Sequence, residues 1–431
     1  MSRRTATAPP AHRRPGTVAS LAVVGILGAV VVSGCGSSND SGDSGGSATA
    51  ATADSASAAA PVQNGAAQVN LTLTNAGGKD VCNLDHTSAA AGPVTFTVTN
   101  QSATSITEVE LLSDQRILGE KENLAPGLAP ATFTLTLSGG AYQIYCPGAQ
   151  SETQAFTVTG QSSATATGGP ATLLAEGAKG YGVYAAGVIA DMKTGVANLK
   201  AAVDSGNVEE AKAKYALARP FYEKVESDVD GFVLPGTDPT DNSGNLDYLV
   251  DMRASNLDEA VGWHGFHAIE RDLWEKGAIT DDTKKLAAEL QTNVDKLAEL
   301  SSGLTFKPED LANGAAGLLE EVQSEKIKGE EEAYSHLDLV DLAANVEGAQ
   351  QAFAYLKPGL QEIDPTLTAD VVRQFELVTA KLETYKDASA LGGYKPWTEE
   401  LRASDAAALS KAVQGLQDPL SRIAEKVATA G

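Results

Sequence analysis

Residues 286–300 read "LAAELQTNVDKLAEL". Leu286, Leu290, Val294, Leu297 and Leu300 recur at the spacing that lines up side chains along one side of a helix. The same period returns downstream in Val371, Phe375, Val378 and Leu382, after the N-cap-like Thr368. It returns again in Leu409, Val413, Leu416, Leu420, Ile423 and Val427. Residues 173–431 are therefore predicted to form an all-helical domain, a bundle.

Upstream the period changes to two. "VNLTLTNA" places Val69, Leu71 and Leu73 on one face, and "VTFTVTN" does the same with Val94, Phe96 and Val98. "ATFTLTLSGG" repeats it with Phe133, Leu135 and Leu137, and "QAFTVTG" closes with Phe156 and Val158. Strict alternation with Thr on the other face marks half-buried strands. Several such strands, split by turns such as "APGLAP", predict a small all-β sandwich over 67–160. Two domains also suit a chain of 431 residues, which exceeds the usual single-domain size. The polar run "GQSSATATGGP" supplies a linker at 161–172, and the Ser/Gly/Ala/Asp-rich segment 35–66 reads as a flexible tether.

The start of the chain carries Arg3, Arg4, Arg13 and Arg14, then the apolar run "VASLAVVGILGAVVVSGC". The run is short for a membrane span and ends in small residues, so 1–34 reads as a secretory signal peptide. Its ending "VSGC" resembles a bacterial lipobox, which makes Cys35 the lipidated first residue of the mature chain. The expected location is extracytoplasmic, lipid-anchored to the outer face of the cell membrane. The net charge of −24 argues against nucleic acid or an anionic membrane surface as partner. It suits a protein that meets cations, although solubility alone accounts for it equally.

Candidate ligands concentrate in the helical part. "GWHGFHAIERDLWEKG" (262–277) holds two of the five His. His267 and Glu270 stand at i and i+3, so they share one helix face. A His and a carboxylate one turn apart can hold one metal ion. Alone, the pair also fits a helix with one satisfied His and one solvated Glu. Glu223 and Glu226 form a similar pair on another predicted helix, and Asp247 and Asp251 stand at i and i+4. Glu330 to Glu332, His336, Asp338 and Asp341 follow in one run. Bundles build metal sites from such inward pairs on facing helices; a solvated acidic face is the alternative for each.

The order "RPFYEKVE", "GFHAIE", "GAAGLLEEV", "GEEEAYSHLDLVDLAANVEGAQ" resembles the imelysin-like domain of EfeO-type iron uptake proteins. Cys82, "EVELL", "GEKENLAPG" and Cys146 resemble the cupredoxin-like domain that precedes it in that family. The resemblance implies an extracytoplasmic protein that binds iron, as Fe(II) or Fe(III), and passes it to a membrane permease. It also implies a secreted haem peroxidase of the same system as partner. Its metal motif falls on His267 and Glu270, with Glu223, Glu226, Asp247 and Glu330 as further acidic ligands. The segment "DGFVLPGTDPTDNSGN" before Asp247 is longer than the family pattern. His264 lies outside the motif, and could assist the site or cap its edge. Carboxylates with imidazole and no thiolate suit iron, and zinc would bind such a set as well.

In the β domain only His86 is present and no "CxxxxH" loop follows Cys146, so a blue-copper site does not fit. The resemblance implies a non-blue copper or iron site using Cys82, Glu108 and Cys146; a plain Cys82–Cys146 disulfide is the competing reading. Three other functions compete with a transport component without turnover. A metallopeptidase is one, since imelysin-like domains have been classed with peptidases, but the chain has no HExxH. A ferroxidase using the β domain is another, and a structural envelope protein is the third.

Overall fold

The computed structural model describes residues 59–113, 116–161 and 169–430. The expected signal peptide, Cys35 and most of the expected tether lie outside the described residues. The described residues make one compact unit.

The N-terminal part consists of two five-stranded sheets. In the first, β1 (Val62–Gln63), β2 (Ala66–Ala76), β5 (Gly92–Asn100) and β8 (Ala131–Leu137) lie in that order, and β3 (Lys79–Leu84) pairs with β2. In the second, the order is β4 (Ser88–Ala90), β10 (Thr153–Thr159), β9 (Gly140–Tyr145), β6 (Val109–Ser113), β7 (Arg116–Lys121). Both sheets are mixed, because β2 pairs with β5 and β4 with β10 in parallel. The alternating apolar residues of both sheets share one core, in which Phe96 stacks on Phe133 and meets Phe156 of the other sheet edge-on at 5.4 Å. A disulfide joins Cys82 on β3 to Cys146 just after β9 and so ties the two sheets.

The C-terminal part is helical: α1 (Gly169–Ser205), α2 (Val208–Glu223), α3 (Glu226–Val229), α4 (Leu246–Asp251), α5 (Gly265–Trp274), α6 (Asp281–Ser301), α7 (Pro308–Glu321), α8 (Asp338–Ile363), α9 (Pro365–Glu383), α10 (Glu399–Leu420) and α11 (Ile423–Ala428). The helix α1 packs on α2, α6 and α8. It approaches α8 so closely that a Cβ at Gly177 would sit 2.1 Å from the Tyr355 carbonyl oxygen. The stretch 286–300 lies within α6. Its Thr280 side chain accepts from the Thr283 N–H, satisfying one of the donors a helix start leaves open. Leu290, Val294 and Leu297 are buried, with Leu286 and Leu300 at the edge of the same core. Emptying one such position, Leu290→Ala, costs about 2–5 kcal/mol.

Two boundaries differ from expectation. The cap of α9 is Asp364, which accepts from the Leu367 N–H ahead of Pro365; Thr368 sits inside the first turn. The last periodic stretch is two helices, because the chain turns after Leu420.

The helical part covers the outer face of the first sheet. Thr95 and Thr134, expected to face solvent, are buried and hydrogen-bonded to each other at 2.8 Å. Asn313 Nδ2 of α7 donates to the Thr134 carbonyl at 2.7 Å, and Lys121 of β7 pairs with Glu320 at 2.8 Å. The segment 230–245 reaches the same interface: the Ile117 N–H donates to the Gly231 carbonyl, and the Arg116 guanidinium lies 4.5 Å above the Phe232 ring.

The disulfide spans 64 residues of chain. Closing such a loop stabilises the folded state by roughly 4 kcal/mol in the chain-entropy account. Replacing both Cys82 and Cys146 by Ala is expected to lower stability to denaturant by about that amount. Peptide mapping should find both unalkylated until reductant is added; alkylation without reductant contradicts the disulfide.

Candidate metal centre

Six segments converge in the helical part. The first, α2, ends at Glu223, and the chain turns at Lys224 and Val225 before α3 opens with Glu226. The expected i, i+3 pair therefore straddles two helices, yet both carboxylates are buried together. The short α4 contributes Asp251, and α5 contributes His267 and Glu270 on the one face that their spacing predicts. The irregular stretch before α8 contributes Glu331 and Glu332, and the first turn of α8 contributes Asp341.

These side chains form three overlapping groups whose oxygen and nitrogen atoms lie within 4.8 Å of one another: Asp251, His267 and Glu331; His267, Glu270 and Glu332; Glu223, Glu226 and Asp251. The His267 Nδ1 is 3.1 Å from Glu270 Oε2, and its Nε2 is 3.3 Å from Glu331 Oε1 and 3.5 Å from Asp251 Oδ1. Glu270 Oε1 accepts the N–H groups of Tyr334 (2.8 Å) and Ser335 (2.7 Å). It thereby ties α5 to the stretch that carries Glu331 and Glu332. The Tyr215 hydroxyl donates to Glu332 at 2.8 Å, and Ser335 donates to the other oxygen of that carboxylate.

Two buried cations stand among the acids. Arg219 of α2 contacts Glu223 and Asp251 at 2.5 Å each, and also Glu331, Glu332 and Asp341. Lys326 contacts Glu223, Glu331 and Glu226. Even so, both oxygens of Glu223, both of Asp341 and Oδ1 of Asp251 accept no directed hydrogen bond. Arg219 and Lys326 face most of these oxygens as charges, but two cations among at least six buried acids leave negative charge that a further cation would offset. With an imidazole beside them these carboxylates make a hard oxygen–nitrogen ligand set that fits iron, and zinc too.

The protonation pattern follows from this crowding. Burial pushes Glu223, Glu226 and Asp341 up, and carries Glu332 to about 8 and Asp338 to about 7. Burial acts the same way on Glu331, but Lys326, Arg253, His267 and Arg219 outweigh it and hold the carboxyl well below its ordinary range. Burial would depress His267, whereas its bonds to Asp251, Glu270 and Glu331 hold it well above the usual imidazole value.

Of the residues singled out in the sequence, His267, Glu270, Glu223 and Glu226 meet in this centre, together with Asp251, Glu331, Glu332 and Asp341 from the further acidic runs. Glu330 is exposed and lies outside it, and its two neighbours point inward instead. Asp247 sits one turn before Asp251 on α4 and takes the Tyr222 hydroxyl; burial and Asp251 raise it to about 7. It faces a cavity of about 610 Å³ between the sheets and the helices, which Glu226, Glu108, Glu110, Glu120 and Glu122 also line. Glu108 is thus in the cavity wall, while Cys82 and Cys146 are bonded to each other, so neither is a thiolate. His264 turns away to Glu289 at 3.1 Å. Arg271 stacks on Trp263 at 4.3 Å, and Trp274 packs against Tyr215. Arg219 and Lys326 were not singled out. Arg219 had a signal, standing at i−4 from Glu223; Lys326 had none.

The fold and site define a helical domain with a buried His–carboxylate centre, carried behind a β domain. The family model described as Imelysin (peptidase M75) matches residues 177–423. The iron uptake system component EfeO of Escherichia coli K12 is 32% identical over 362 residues, covering 83% of this chain and 90% of that protein. The EfeO of Shigella sonnei matches to the same extent, and that of E. coli CFT073 is 33% identical over 339 residues, 77% and 85% of the two chains. The chain belongs to the EfeO group of the imelysin family.

His267 and Glu332 titrate in the same sense. Each has a folded pKa above its unfolded value, so its stabilising contribution is complete below that unfolded value and is lost as pH rises through the folded one. Asp338 adds to this near 7. The metal-free protein is expected to lose thermal stability as pH rises from about 4.5, where unfolded Glu332 ionises, to about 8, its folded value, while added cation restores progressively more of it, because bound ligands must be deprotonated. Thermal melts with chelator and with metal ion check this; a metal-free melting temperature that rises across the window contradicts it.

Proposed function

We propose that this protein is the extracytoplasmic iron-binding component of a bacterial iron uptake system, holding the ion at the centre around His267 and Glu270 and delivering it to a membrane permease. The observation that carries the reading is the convergence of His267 with buried carboxylates in three overlapping groups whose ligand atoms lie within 4.8 Å of one another, more acids than Arg219 and Lys326 neutralise. The relatives' name, iron uptake system component, supports the same cargo. Glu223, Glu226, Asp251, Glu331 and Glu332 complete the ligand supply, with Glu226 also lining the cavity between the domains through which an ion can approach. Arg253 spans the boundary between cavity and centre, pairing with Glu321 at 2.7 Å and Glu331 at 3.4 Å.

The burial of the centre favours an ion over a polypeptide substrate. His267, Glu223 and Glu331 are each no more than 1% exposed, which leaves no groove for a peptide at the ligands. Carboxylates with one imidazole favour iron over a soft metal. A single ion shared among few of these ligands can be released again, as transport requires. The β domain is proposed to be cupredoxin-like, and the lipid anchor at Cys35 would keep the protein beside its permease. Among the described residues no helix is long and apolar enough to cross a membrane. A secreted haem peroxidase is the proposed further partner.

The test is iron binding by His267→Ala, Glu270→Ala and Glu331→Ala, with Glu330→Ala as control. Affinity is expected to fall about 100-fold or more in the first three, near 2.7 kcal/mol of binding free energy, and to stay unchanged in the control. Wild-type affinity in both His267→Ala and Glu270→Ala places the site elsewhere.

A further inference from the structure

We propose that Lys326 is a resident counter-cation of the carboxylate centre, seated where an incoming metal ion binds, and that the helical turn carrying it yields when the ion enters. The inference rests on the ion-binding reading above and deepens it: it names the group that the ion must displace.

The Lys326 Nζ lies 3.1 Å from Glu223 Oε2, 3.5 Å from Glu331 Oε2 and 3.8 Å from Glu226 Oε2. The residue is fully buried, and among the described residues its ammonium makes no directed hydrogen bond. It is held by charge alone, as a metal ion would be; an ammonium is a compact point charge without the fixed fork of a guanidinium. The oxygens of Glu223, Glu226 and Asp251 come within 4.8 Å of one another. A single ion with bonds of about 2.0–2.2 Å spans such a set. The ammonium faces two of those three carboxylates. Ion and ammonium therefore compete for the same lone pairs.

Arg219 also occupies the centre, but it is fixed. It projects from the regular helix α2, two of its nitrogens contact carboxylates at 2.5 Å, and the rings of Phe266 and Tyr222 lie 5.4 and 5.9 Å from its guanidinium. Lys326 is carried differently. It ends a π-helical turn, Val322–Lys326, that continues α7. The Ile327 N–H donates to the Val322 carbonyl at 3.0 Å and the Glu330 N–H to the Glu325 carbonyl at 3.1 Å, both across five residues. Such turns are rare, and they recur at functional sites. A π turn holds one residue more than an α turn, so tightening it locally rotates Lys326 about the helix axis. Lys326 would leave the centre with its proton still bound. The end of the turn is pinned by Trp397, whose indole N–H donates to the Ile327 carbonyl at 3.1 Å. Movement is therefore confined to the turn, and on release of the ion the ammonium returns and restores the charge balance.

The experiment measures anaerobic Fe(II) binding to the full chain by calorimetry, together with thermal melts in chelator, for wild type, Lys326→Gln and Lys326→Arg. Lys326→Gln removes the competing charge. Its affinity is expected to rise about tenfold or more, while its metal-free melting temperature falls. Lys326→Arg keeps the charge in a bulkier group that cannot withdraw as readily; its affinity is expected to fall about tenfold with the metal-free melting temperature near wild type. Unchanged or weaker binding by Lys326→Gln overturns the proposal and makes Lys326 an organiser of the carboxylates. If Lys326→Gln does not fold, unchanged or tighter binding by Lys326→Arg overturns it. Absence of Fe(II) binding by the wild type overturns the ion-binding reading and this inference together, whereas wild-type binding with an indifferent Lys326→Gln overturns the inference alone.

Discussion

Arg219 touches five carboxylates and is buried from solvent. Those acids come from α2, α4, the stretch before α8, and α8 itself, so one guanidinium holds four separate segments around a common point. Taking so many charges out of water is costly, and the attraction among them offsets that cost only when geometry and further contacts are good. The surrounding apolar core encloses the network, and the network in turn fixes where each helix end must lie. Removing the guanidinium would leave at least five acids facing one another in a dry interior. The buried His–carboxylate centre is thus inseparable from the packing of the helical domain.

That coupling explains why much of the fold was legible in the sequence. Period 3.6 in 286–300 and period two in 94–100 follow from burying one face of each element, and both occur as read. What the sequence did not show were choices set by tertiary contact. Thr95 and Thr134 look like solvent residues, because a Thr opposite an apolar residue usually is one; here the helical part covers that face. Thr368 has the chemistry of a cap, but Asp364 followed by Pro365 is better placed four residues earlier. The parallel pairing of β2 with β5 is a matter of chain routing, on which alternation is silent.

The site was legible where a ligand pair shares one regular helix, as His267 and Glu270 do. It was less legible where the backbone is irregular. Among three consecutive Glu no periodicity selects the inward ones, and the turns between 328 and 337 turn Glu331 and Glu332 in and Glu330 out. On α4 the choice between Asp247 and Asp251 depends on how that short helix meets Tyr222 and Arg219. The basic residues of the centre carry no ligand signal in the sequence, because a protonated Arg or Lys offers a metal no lone pair. The disulfide resolves the Cys82 and Cys146 pair by proximity, which spacing along the chain cannot provide.

The central claim is that the ion lies among the side chains of α2, α3, α4, α5 and the stretch before α8. Anomalous diffraction at the iron absorption edge, from crystals of the iron-loaded protein, tests it directly. The account predicts an iron peak at about 2.0–2.2 Å from a His267 nitrogen and from oxygens of at least two of Glu223, Glu226, Asp251, Glu270, Glu331 and Glu332. A peak found only in the cavity wall beside Glu108, Glu110 and Glu120, with the His267 carboxylate cage still closed around Lys326 and Arg219, would contradict it.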